Sequence, residues 1–237
     1  MLHFPFKLRA AFPKYSSTFE TRWAAWINAT SSVPDRASWT SLPEFEALVA
    51  LGPKIIPLTL SKMWETGIAP AILLYNMLDK DADYQLPQDG DQDSLNVLAD
   101  DILLFNFARY RETRNALLDW AEHCSWNSGL SSSTLAYVEC EEYYTLLEMG
   151  PFIIPQLMLQ YEEVLEPPTP YISEANGGGP HAPLFSYELL HELTWGYKCE
   201  FRTIFTDIQC KEWADWFENG EHRQAPHFKW KEDRDDW

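Results

Sequence analysis

Apolar positions along the chain recur at helical rather than alternating spacing, and they do so twice in nearly the same words. In EALVALGPKIIPLTL the apolar positions Leu48, Leu51 and Ile55 keep helical spacing, as do Leu146, Leu147 and Ile153 in TLLEMGPFIIPQLML. The shared string L-x-x-x-G-P-x-I-I-P predicts a helix, a tight corner and an antiparallel helix. Glycine ends a helix cheaply in a left-handed conformation. Proline directly after it opens the next helix, where no backbone N–H is needed. The second proline, Pro57 or Pro155, still falls in the first turn and costs little.

The match spreads outward from the corners. Glu44, Phe45, Leu48 and Leu51 align with Glu142, Tyr143, Leu146 and Met149. Upstream, ETR at 20–22 recurs at 112–114, each ahead of an aromatic-rich stretch that ends at Trp26 or Trp120. Downstream, APAILLYNMLD (69–79) parallels APLFSYELLHE (182–192), and EWADWFENG (212–220) echoes RWAAWINAT (22–30). The expectation is an all-α fold of two and a half copies packed as one compact helical bundle or short solenoid. One domain, 1–237, would hold repeat 1 at about 15–79, an acidic connector at 80–98, repeat 2 at about 107–198, and a capping helix and tail at 199–237. Two long connections, 79–93 and 166–183, read as lids, binding loops or linkers.

The Gly-Pro corner resembles the HEAT-type helical repeat, whose second helix opens with a similar G-x-x-x-I-P-x-L pattern. That likeness covers about 15 residues per copy and implies a fold rather than an activity. The wider pattern, with CEEYYTLLEMGP and YELLHEL, resembles a group of uncharacterised fungal proteins and implies no function.

Composition narrows the partners. The 237 residues are 46% hydrophobic and 15% aromatic, which suits a globular core, and carry a formal charge of −18. Such a polyanion is repelled by phosphate backbones and anionic membrane surfaces, so neither nucleic acid nor membrane is expected. A small-molecule ligand or a basic protein partner fits the charge better. No apolar run is long enough to span a bilayer, and the opening MLHFPFKLRAAF lacks the marks of a signal peptide; the expected location is cytoplasmic. Cys124, Cys140, Cys199 and Cys210 form no C-x-x-C and read as reduced thiols, with a disulfide or metal role less favoured.

Candidate chemistry comes from positions where the second copy departs from the first. ECEEYY adds Glu139 and Glu141, and His191-Glu192 stands where the first copy has Asp79-Lys80. Tyr187, His191 and Trp195 fall at i, i+4 and i+8, on roughly one helical face. The expected catalytic residues are His191, Glu141 and Glu139, working as acid and base, with Tyr187, Trp195, Tyr143 and Glu192 binding substrate. Cyclisation, isomerisation, dehydration or hydrolysis would suit such a set, with no cofactor and no metal ligands. A His hydrogen-bonded and packed between helices is the alternative for His191, and a non-catalytic adaptor for a basic partner is the alternative for the chain. DKDAD and DGDQD lack the Gly and bidentate Glu of a calcium loop. DDILL lacks the last Asp of a prenyl-diphosphate cyclase motif. Gly177–Gly179 lack a following G-K-[ST], and Ser131–Ser133 lie in no nucleophile elbow.

Overall fold

The computed structural model describes residues 3–65, 68–87, 91–127, 135–165, 182–198 and 207–226. Most of the 166–183 connection, Ser131–Ser133, Gly177–Gly179, Cys199 and the C-terminal KWKEDRDDW lie outside the described residues. Among those described, every regular element is a helix: α1 (His3–Ala11), α2 (Pro13–Thr30), α3 (Pro43–Val49), α4 (Ile56–Glu65), α5 (Ile68–Leu78), α6 (Gln92–Asn127), α7 (Leu135–Val138), α8 (Glu141–Glu148), α9 (Ile154–Leu165), α10 (Ala182–Trp195) and α11 (Asp207–Asn219), with short 3-10 turns between some of them. None is long and apolar enough to cross a membrane.

Contacts divide the chain into two units, one of residues 1–112 with 217–224, the other of residues 113–216 with 225–237. The division falls inside α6, which begins at Gln92, so part of the expected connector at 80–98 is helix. The reason is visible in its inward face: Leu95, Ala99, Ile102, Leu103 and Asn106 are all buried and keep helical spacing.

Both Gly-Pro corners adopt the same geometry. Gly52 has φ 77°, ψ −171°, and Gly150 has φ 76°, ψ −173°. The φ is positive as expected, but ψ is extended rather than left-handed helical, a region essentially closed to residues bearing a Cβ. The preceding helices stop at Val49 and Glu148, and each proline opens a 3-10 turn (Pro53–Ile55, Pro151–Ile153) before the next α-helix starts. The hydrogen bonds also match: Gly52 N to Val49 O at 2.9 Å and Gly150 N to Leu147 O at 3.0 Å, then Ile55 N to Gly52 O at 3.2 Å and Ile153 N to Gly150 O at 3.3 Å.

In the first unit α4 packs on α5, α2 on α3, and α1 on both α2 and α4. Its core centres on Trp26, whose ring meets Phe45 at 4.9 Å and whose indole N–H donates to Trp39 O at 3.1 Å. Truncating so deeply buried a ring to Ala costs about 3–5 kcal/mol. In the second unit, where α10 packs on α7, α8 and α9, Trp120 has the same role. Its ring meets Tyr143 at 5.8 Å, and its N–H donates to Tyr137 O at 2.8 Å. The C-terminal echo holds as local geometry: Trp213 and Trp216 cross edge to face at 5.3 Å, as Trp23 and Trp26 do at 5.5 Å. The end of α11 and the turn after it, Phe217–Gln224, belong to the first unit.

Candidate functional site

The second unit carries most of the residues singled out above, and α8 and α10 set their positions. Tyr143, in the first turn of α8, is fully buried and donates its hydroxyl to Glu192 Oε2 at 2.8 Å. Burial, and then the Glu192 carboxylate itself, push this phenol far above its ordinary range, so it stays a neutral donor at any physiological pH. Lys198 sits beyond the end of α10 with its Nζ 5.5 Å from the Tyr143 ring and 5.2 Å from the Tyr144 ring. The same ammonium donates to Val138 O at 3.2 Å. The chain therefore fills its own aromatic notch with its own cation.

His191 is fully buried in α10. Its Nδ1 lies 3.0 Å from Tyr197 O, and its ring meets the Tyr197 ring edge to face at 5.2 Å. Tyr187 is buried one turn earlier, and Trp195, half-buried, donates its N–H to Pro226 O at 3.1 Å. Glu141, the first residue of α8, and Glu139, two residues before it, stand exposed, while His191 has no exposed surface. Of the seven residues proposed from the sequence, Tyr143 and Glu192 are joined directly.

In the first unit the position matching His191 is Asp79, and it too is satisfied locally. Arg109 pairs with its carboxylate, Tyr75 donates to Asp79 Oδ2 at 2.8 Å, and Asn106 donates to the Tyr75 hydroxyl at 2.8 Å. Burial, ahead of the Asp79 charge, raises the Tyr75 phenol well above its usual value.

Two surface features were not anticipated from the sequence. The first is the outward face of α6 within the first unit. Val97 is 62% exposed and Leu104 67% exposed, with Phe107 continuing the line, and the exposed carboxylates of Asp93, Asp100 and Asp101 stand among them. An open groove beside this face is lined by Gln85, Pro87, Asp93, Val97, Leu98 and Asp101. A register count could have found it, because Val97 and Leu104 are one heptad apart on the side opposite Leu95 and Ile102. The second is a cluster at the α6–α8 crossing in the second unit: His123, Cys140 and Glu142. These residues are 17 and 2 positions apart in the sequence, so no ligand-spacing motif announces them.

Comparison with protein-family models, curated proteins and solved structures finds no match to this chain.

Proposed function

We propose that this chain is a non-catalytic helical scaffold, built from HEAT-like repeats, that binds a basic amphipathic helix along the outward face of α6 in its first unit. The single observation that carries the reading is the pairing of solvent-exposed Val97 and Leu104 with the flanking carboxylates of Asp93, Asp100 and Asp101. Leaving such apolar side chains in water is unfavourable by about 25 cal/mol per Å², which a partner's apolar stripe would relieve. Acidic flanks and a formal charge of −18 select Lys- or Arg-rich segments and speed their arrival. Helix-in-groove recognition needs this combination of apolar anchors at helical spacing and a charged rim.

The acid–base enzyme reading, with His191, Glu141 and Glu139 acting on a small molecule, is the second proposal. It draws support from the part-buried Tyr143–Glu192 hydrogen bond. It stands second because Glu139 and Glu141 are exposed while His191 is sealed from solvent.

The test is an array of amphipathic helical peptides, basic and acidic in matched pairs, probed with the full chain. Basic members should bind, more weakly as salt rises, and Val97→Ser with Leu104→Ser should weaken that binding about tenfold or more. Equal retention of acidic members, or unchanged binding by the double variant, would overturn the scaffold reading.

A further inference from the structure

We propose that His123, Cys140 and Glu142 form a binding site for one zinc-type divalent transition-metal ion. The imidazole nitrogen, the thiol sulfur and a carboxylate oxygen all lie within 4.8 Å of one another. Around a tetrahedral ion with bonds of about 2.0–2.3 Å, ligand atoms stand roughly 3.3–3.8 Å apart. His123 Nδ1 and Glu142 Oε2 are already 3.3 Å apart, and the sulfur needs to draw in by no more than about 1 Å.

Two elements hold the three groups. His123 projects from the final turns of α6, whose backbone is fixed on this side by buried Trp120 and Cys124. Cys140 is the extended residue that precedes α8, with φ −123° and ψ 162°, and Glu142 is in the first turn of that helix. A helix start thus presents a sulfur and an oxygen ligand together, and the crossing helix supplies nitrogen. The thiol lies 3.7 Å from Tyr137 O and also within hydrogen-bonding reach of the Glu142 carboxylate, contacts that a metal-bound thiolate would give up. On binding, one metal–sulfur bond forms, and the thiol proton leaves to solvent.

Ligand chemistry decides the ion. Magnesium and calcium take oxygen donors, whereas a mixed thiolate, imidazole and carboxylate set suits zinc and its cobalt surrogate. Three protein ligands leave a fourth position open, the arrangement of zinc sites that keep a water or accept an outside ligand. The acidic protein surface raises the local cation concentration.

The experiment is a cobalt(II) titration of untagged, metal-stripped, full-length protein, followed by zinc competition. A thiolate-to-cobalt charge-transfer band should grow to saturation at a single equivalent and disappear when zinc is added. Cys140→Ser should abolish the band, Cys124→Ala should keep it, and His123→Gln and Glu142→Gln should each weaken cobalt binding roughly tenfold or more. No band in the folded parent overturns the proposal, as does a band that survives Cys140→Ser. Should circular dichroism show that Cys140→Ser does not fold, the other two variants decide: unchanged cobalt affinity in both overturns it.

Discussion

A Cβ placed on Gly52 would lie 2.6 Å from the Cβ of His222, and that residue is pinned by its own N–H, which donates to Ala50 O at 2.8 Å. The same atom placed on Gly150 meets nothing within 4 Å. Both glycines share the positive φ that resists side chains, so each substitution to Ala carries backbone strain of about 1–3 kcal/mol. Only Gly52 adds a collision, with a side chain whose backbone is held in place. Gly52→Ala should therefore unfold at clearly lower urea than Gly150→Ala. Removing the opposing side chain with His222→Gly should return part of the loss, as a double-mutant cycle would reveal. Equal midpoints for the two alanine variants would refute the contact.

Lys54 is 1% exposed, yet its Nζ donates to Phe217 O at 2.9 Å and Gly220 O at 2.7 Å. Burial, and secondarily the charge of Arg22, lower its ammonium from 10.5 to about 7. Between those values the unfolded chain holds a proton that the folded chain has released, so raising the pH favours folding. The window ends near pH 9, where the buried Cys124 thiol, raised to about 12 by burial, begins to act with the opposite sign. From pH 7 to 8.5 the parent should gain stability by at most about 1.4 kcal/mol per pH unit from this group. Lys54→Met should flatten that slope; chemical denaturation at several pH values measures it, and identical slopes would contradict the assignment. The same variant removes the Lys54 donation to both carbonyls, at a cost of about 1–3 kcal/mol.

Arg109 and Asp79 form a largely buried pair, with Asp79 only 6% exposed. Arg109→Met removes the opposite charge from beside the buried carboxylate and should cost about 3–5 kcal/mol, although Tyr75 still donates to it. Asp79→Leu combined with Arg109→Met should recover much of that loss, because neither charge is then buried alone. Additive losses, read by urea denaturation, would argue against direct coupling.

His191 separates the two functional readings. A fully buried imidazole held against Tyr197 O should cost about 1–3 kcal/mol when truncated to Ala, visible as a lower melting temperature. Tyr143→Phe, which removes the donor to Glu192, should cost about 1.5–3 kcal/mol, while Tyr144→Phe, at an exposed position, should cost little. Unchanged melting of His191→Ala would return weight to the acid–base proposal.

Much of the first-order architecture could be read before any coordinates. The Gly-Pro corners, the helical class and the Trp-x-x-Trp stretches are encoded within one or two turns of chain, where spacing, proline and glycine act directly on the backbone. The helical conformation of 92–98 was missed because its polar, aspartate-rich outer face hid the buried series Leu95, Ala99, Ile102.

The candidate sites were far less legible. His191 and Glu192 are neighbours in sequence, but helical rotation buries the first and turns the second toward Tyr143. His123 reaches Glu142 only because two helices cross there. The positive φ at both corners was legible in the sequence, since a glycine that closes a helix favours it. Whether a side chain could be borne there belongs to the fold, because the atom that forbids it at Gly52 arrives from His222, 170 residues later. Local rules act through covalent geometry, whereas packing acts through space, and only the folded chain says which distant residue occupies that space.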